Sequence, residues 1–224
     1  MKKQERAIRT RHALIRSAAE LFEQRGYVQA RLAEISSGAG VSSGALYFHF
    51  PNKTAVADAV ESEAGRILRR SARRAYDDQP NALQTLVDVS HVLAHLLRQD
   101  VVVRAGFRLN CDNTLRTGLS LRQEWQSCVQ QLLAQAADEG SLKPGLPQRD
   151  LVMALVAATT GFEILSRENH EWLSRRSLSR YWRLLLPSVA EAHVAVDPEG
   201  TDSLIADPAP VLIPFRPSDP AGSR

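Results

Sequence analysis

Apolar residues recur at three- and four-residue spacing through most of the chain, and short polar, Gly-rich or Pro-rich breaks divide that pattern into helices. Leu14, Ile15, Ala18, Leu21 and Phe22 form one stripe on a helix expected from about Glu5 to Arg25, with Gly26 in the position after its last turn. A second helix is expected from Arg31 to Ser37, with Leu32 and Ile35 inward. Gly38-Ala39-Gly40 turns the chain, Val41 plugs the corner, and Ser42 or Ser43 caps a third, short helix. Leu46 and Phe50, four apart, face its core side, and Pro51 stops it. The next helix starts near Asn52-Lys53 and reaches about Tyr76.

From there the pattern widens. Pro80-Asn81 opens a helix with Leu83, Leu86, Val87, Leu93, Ala94 and Leu97 on a broad face that Val89, Val92 and Leu96 extend, so it is expected to be nearly buried. Asp100 caps a helix through Val101–Leu109, and a loop with Asn110, Asn113 and Gly118 follows. Ser120 caps a helix to about Ala137, and Gly140 ends it. After the Lys143–Pro147 break come helices from about Arg149 to Glu168 and from about Ser177 to Leu186, each apolar on more than one face. From Asp197 the chain holds six of its eleven prolines and no periodicity, which predicts a disordered or loosely packed tail. The expected fold is all-α: a three-helix helix-turn-helix unit at 1–52, a larger helical body at 53–196, and a Pro-rich tail at 197–224.

A short helix behind a Gly-Ala-Gly turn has the layout of a helix-turn-helix, whose second helix enters the DNA major groove. Its candidate contacts are Ser42, Ser43, Gly44, Ala45, Tyr47 and His49, with Lys53 just beyond. Small residues at Gly44 and Ala45 allow close approach, and the Ala45 methyl suits a thymine methyl. Tyr47 and His49 offer phosphate hydrogen bonds. Lys53 would join the positive end of the next helix in favouring a phosphate. Charge strengthens this reading. Residues 1–53 carry nine Lys/Arg against four Asp/Glu, whereas the whole chain is only +3. A basic head on a near-neutral body fits a polyanion partner.

Other chemistries find little support. No Walker A, nucleophile elbow or dinucleotide fingerprint appears, so no enzymatic activity, catalytic residue or cofactor is expected. One polar strip, Asp88, His91, His95 and Arg98, crosses the apolar Pro80–Arg98 helix. Its two histidines stand at i, i+4, but HVLAH lacks the glutamate of a zinc-protease motif and no third ligand is evident. It reads as ordinary histidines or a polar pocket wall before a metal site. Arg66, Arg69, Arg70, Arg73 and Arg74 read as a solvated face before further DNA contacts. No apolar run nears the roughly 20 residues of a membrane span. The two cysteines, Cys111 and Cys128, read as reduced packing residues, and the expected location is cytoplasmic.

The run from Ala13 to Lys53, with LFEQRGY, LAEISSGAGVSSGALYFHF and PNK, resembles the DNA-binding domain of TetR-family repressors. That resemblance implies a homodimer bound to operator DNA, paired through its last two long helices in a four-helix bundle. Here Leu155, Phe162, Leu178, Trp182 and Leu185 would form the interface, with core packing as the alternative. A narrower resemblance, DVVVRAGFRLNCD followed by Glu124-Trp125, is to the γ-butyrolactone receptor branch of that family. It implies a small-molecule effector that lifts the repressor off DNA, with the tryptophan matching Trp125 lining the pocket. Val102, Phe107, Leu121, Cys128 and Phe162 are expected beside it, although Trp125 also fits a plain core position. Two departures matter. Ser43 stands where that branch commonly has lysine, so operator preference is expected to differ. The isoelectric point of about 9.1 resembles the basic pseudo-receptors that answer to antibiotics or their intermediates. The alternative function is a DNA-binding regulator with no ligand, constitutive or governed by a protein partner.

Overall fold

The computed structural model describes residues 2–76, 79–109 and 120–201. Cys111, the loop with Asn110, Asn113 and Gly118, and the tail from residue 202 onward lie outside the described residues. Among the described residues the architecture is helical: α1 Lys2–Gln29, α2 Leu32–Gly38, α3 Ser43–His49, α4 Lys53–Tyr76, α5 Ala82–Gln99, α6 Val101–Leu109, α7 Leu121–Asp138, α8 Gln148–Leu165 and α9 Arg175–Val189. A 3-10 turn, His170–Leu173, joins α8 to α9.

The head forms because α1, α2 and α3 each turn one apolar stripe inward. Leu14, Ile15, Ala18 and Phe22 of α1 bury against Ile35, Leu46, Phe50, Val56 and Val60. Gly26, with φ 76° and ψ 167°, leaves helical geometry and breaks the helix where its place after the last apolar turn predicts, and one further turn through Gln29 follows the kink. Ser17 then donates its hydroxyl to the Ile35 carbonyl at 2.9 Å, tying α1 to α2.

Head and body meet at α6, which packs against both α1 and α4. The fork of Arg104 pairs with both Glu23 carboxylate oxygens on α1 and donates to the Arg98 carbonyl at the end of α5. Arg108 donates to the Glu23 carbonyl. Gly106 is needed where α6 crosses α4, since a Cβ there would stand 2.7 Å from Ala64 Cβ and 2.9 Å from Leu121 Cδ1.

α5 runs through the body with almost every residue buried, as its wide apolar face predicts. Half of its polar strip, Asp88 and His91, is buried and joins Gln84 in another purpose, while His95 is half-buried and Arg98 exposed. Asp88 accepts from Thr201 N at 2.9 Å, Thr201 Oγ1 at 3.1 Å and Gln84 Nε2 at 3.1 Å. His91 Nε2 donates to the Pro198 carbonyl at 3.0 Å, and the Asp197 amide donates to Gln84 Oε1 at 2.6 Å. On the opposite side, Arg175 of α9 donates to the carbonyls of Glu199 and Gly200, both at 2.8 Å. Ser179 and Arg183 hold the Glu199 carboxylate. Residues 197–201, the start of the expected disordered tail, are therefore a folded strap between polar stripes of α5 and α9. Composition concealed this, because the strap is held by hydrogen bonds to its backbone and to the Glu199 and Thr201 side chains and has no apolar period. No cluster of three or more metal-ligating side chains occurs among the described residues.

Three expected interface residues point the wrong way. Leu155, Leu178 and Trp182 are each at most 2 % exposed within the single chain, and the Trp182 indole donates to Ser90 of α5 at 2.8 Å. They are core. Leu185 and Phe162 are half-buried, and the apolar residues left outward on these helices are Met153, Ile164, Leu165 and Leu184, with Trp172 on the joining turn. Both final helices carry apolar residues on two faces, and periodicity does not say which face turns inward.

Two measurements test the strap. Gly200 has φ +68° and an added Cβ would lie 2.8 Å from His91 Cδ2, so Gly200→Ala should cost about 1–2 kcal/mol from backbone handedness alone. A lower Tm in a circular-dichroism melt is the expected outcome, and an unchanged one removes the strap from the folded core. Burial pushes the His91 imidazole below its ordinary value of 6.5, with Arg175 adding to the effect and Pro198, Asp88 and Glu199 opposing it. Because folding lowers this pKa, the neutral ring contributes stability that is present above pH 6.5 and is lost as pH falls through the folded value. Asp88 has the opposite sign, since burial raises its carboxyl and protonation then favours the fold. The wild type should lose more Tm than His91→Gln on acidification from about pH 7 to about pH 5, and parallel losses would exclude His91.

Candidate DNA interface and effector pocket

The exposed face of α3 is built from the core outward. Leu46 and Phe50 are buried in the head, so the opposite side must face solvent. Ser42 caps the helix, its hydroxyl accepting from the Ala45 amide at 3.2 Å, so this oxygen is already used in positioning the element. Ser43, Gly44 and Tyr47 are exposed, and Ala45 is half-buried. His49 is half-buried beside Arg11, and burial followed by that positive charge lowers its pKa from 6.5, favouring the neutral ring.

Lys53 is tied more closely to the chain than its spacing suggests. Its Nζ donates to the Val28 carbonyl at 3.0 Å and lies 4.5 Å from the centre of the Tyr27 ring, and burial lowers its pKa. The ammonium thus satisfies a carbonyl at the end of α1. It has three donors, so others remain for an oxygen from outside. Asn52 caps α4 through the Ala55 amide at 2.8 Å. Of the α4 arginines, Arg66 pairs with Glu63 and Arg69 with Glu124 of α7.

The residue missed by sequence reasoning is Phe48. It is 82 % exposed on α3, more than Tyr47 at 57 %. Its helical phase, two residues on from the buried Leu46, was the signal that it points outward.

In the body, Trp125 is 9 % exposed on α7, and its indole Nε1 donates to Thr159 Oγ1 of α8 at 2.8 Å. Thr159 in turn donates to a backbone carbonyl one turn back, Leu155 at 2.9 Å or Val156 at 3.1 Å. Val102, Phe107 and Leu121 are buried where α6 and α7 approach, with the Arg122 guanidinium 5.8 Å from the Phe107 ring centre. Arg122 and Arg167 both pair with the buried Glu163 carboxylate, at 2.9 and 2.7 Å. Cys128 lies 3.7 Å from the Tyr76 hydroxyl, and burial raises both groups' pKa. Phe162 belongs to a different cluster, with ring centres 5.5 Å from Tyr181 and 6.2 Å from Trp172. A separate cleft of about 440 Å³ is lined by Leu142, Lys143, Leu146, Gln148, Glu191 and His193 at the other end of α7. No residue expected around Trp125 lines it.

A small head that exposes one short capped helix, carried on a larger helical body, has the architecture of a helix-turn-helix DNA-binding regulator. Residues 14–60 match the family model described as bacterial regulatory proteins, tetR family. The A-factor receptor protein of Streptomyces griseus is 31 % identical over 209 residues, covering 92 % of this chain and 74 % of that protein. A crystal structure of a γ-butyrolactone receptor described as ArpA-like superposes with a TM-score of 0.73 at 30 % identity, over 84 % of this chain and 91 % of the other. CprB of Streptomyces coelicolor, solved in complex with its biological operator sequence, gives 0.71 at 30 % identity over the same shares. The chain belongs to the TetR family, in its γ-butyrolactone receptor branch. It is a transcriptional repressor that binds DNA, not an enzyme.

For Lys53 the expected outcome is twofold. Lys53→Ala should lower the Tm, because Val28 loses its donor, and should reduce the salt slope of DNA binding by about one. The slope is read by anisotropy on a labelled duplex at several salt concentrations. An unchanged slope assigns Lys53 to the fold alone.

Proposed function

We propose that this repressor works as a homodimer and is released from its operator by a small molecule bound in the body near Trp125. The supporting observation is the likeness to a protein named as the A-factor receptor, which runs through head and body alike. The effector would be a γ-butyrolactone-type signal or, as the basic isoelectric point of about 9.1 favours, an antibiotic or its intermediate, and the targets would be antibiotic-production genes in the cytoplasm. Trp125 would offer a mainly apolar wall, which suits a compact ligand with few polar atoms, and a ligand acceptor would have to take the indole N–H from Thr159. Pairing two heads would use the outward apolar residues Met153, Ile164, Leu165 and Leu184. Ser42, Ser43, Gly44, Ala45, Tyr47 and His49 would face DNA in each head.

Release requires the effector to favour a state in which the two heads no longer match successive major grooves. A nearly complete switch needs about 5.5 kcal/mol of differential affinity. One observation favours a second reading, a regulator without a ligand: the Trp125 N–H is already satisfied by Thr159, as a core tryptophan's would be.

The test uses the full chain and a duplex it selects from a random library. Sedimentation should give a dimer. A γ-butyrolactone, or extract from an antibiotic-producing culture, should displace the duplex. Trp125→Ala should bind the duplex normally and need about tenfold or more of the same effector, as loss of an indole wall implies. Displacement by neither source would support the ligand-free reading.

A further inference from the structure

Phe48 poses a problem that DNA binding in general does not solve. Exposing a phenyl ring to water is unfavourable, yet this side chain is 82 % exposed, and its helix is the one that meets the operator. Successive residues are about 100° apart round a helix, which places Phe48 roughly 160° from the buried Leu46, on the far side from the core. Its flanking neighbours on the outer face, Gly44 and Ala45, are the two smallest residues available. When α3 approaches a groove, the ring is therefore the first side chain to arrive. His49 holds it there, edge to face at 5.2 Å between ring centres and 83° between planes.

Major-groove base edges present donors and acceptors, with one exception. Only thymine adds a methyl group. A phenyl ring pressed on the adenine or cytosine amino group, or on a guanine acceptor, would strip water from a polar atom and return no hydrogen bond. Pressed on the thymine methyl, it removes apolar surface from water on both sides.

We propose that Phe48 is a specificity-determining residue that reads one thymine methyl in each operator half-site. This rests on the reading of α3 as the groove helix of a paired repressor.

Deoxyuridine differs from thymidine in this setting by that methyl alone, so it isolates the contact. The probe is a duplex that the full-length protein recovers from a random library, with thymines replaced singly by deoxyuridine. One position per half-site should weaken wild-type binding about fourfold, the value of one buried methyl-sized group. Phe48→Ala should bind the parent duplex more weakly and lose the deoxyuridine effect at that position, while Phe48→Leu keeps part of it. Because Phe48 is exposed, an unchanged Tm in both variants is expected and verifies the fold. A wild type indifferent to every deoxyuridine, or a Phe48→Ala protein with the full effect at every position, overturns the proposal. Recovery of no duplex at all would instead sink the DNA-binding reading beneath it.

Discussion

The whole arrangement depends on how closely α6 can approach its neighbours. Gly106 lets it cross α4 with Ala64 and Leu121 in contact, at a distance where even a methyl group would collide. That closeness brings Arg104 within reach of Glu23 on α1 while its other nitrogen satisfies the end of α5. The ion pair is partly exposed and is worth on the order of 1 kcal/mol, so it orients more than it stabilises. Most of the cohesion comes from the apolar surface around it. Together they fix the angle at which the head is carried on the body.

A second constraint operates at the other end of the body. α5 is apolar on nearly every side, yet it keeps Gln84, Asp88 and His91 on one stripe. Buried polar groups need partners. The strap at 197–201 supplies them, with α9 gripping it from the opposite side through Arg175, Ser179 and Arg183. α9, which carries the outward Leu184, is therefore held by hydrogen bonds as well as by core packing.

Helix positions were legible in the sequence because caps and breaks act locally. Ser42, Asn81 and Ser120 each cap the helix that their position suggested. The reading was weaker wherever two outcomes share one local pattern. Trp182 and Leu184 are both apolar and only two residues apart, yet one is core and the other is 80 % exposed. Phe162, expected at both the pocket and the interface, packs its ring with Tyr181 and Trp172, a contact that helical period alone does not show. The Lys53 ammonium was expected to be free for phosphate and is partly engaged by Val28, a residue 25 positions earlier.

On VSSGALYFHF the division is clearest. That a short helix stands there, capped by Ser42 after a glycine turn and anchored by Leu46 and Phe50, follows from neighbouring residues alone, because each of those effects acts within a few positions. The sequence also carried the family resemblance. Only the tertiary structure decided that Phe48 faces outward and that residues 197–201 are a strap. Which face of an element is buried depends on what the rest of the chain brings against it, and that information is not local.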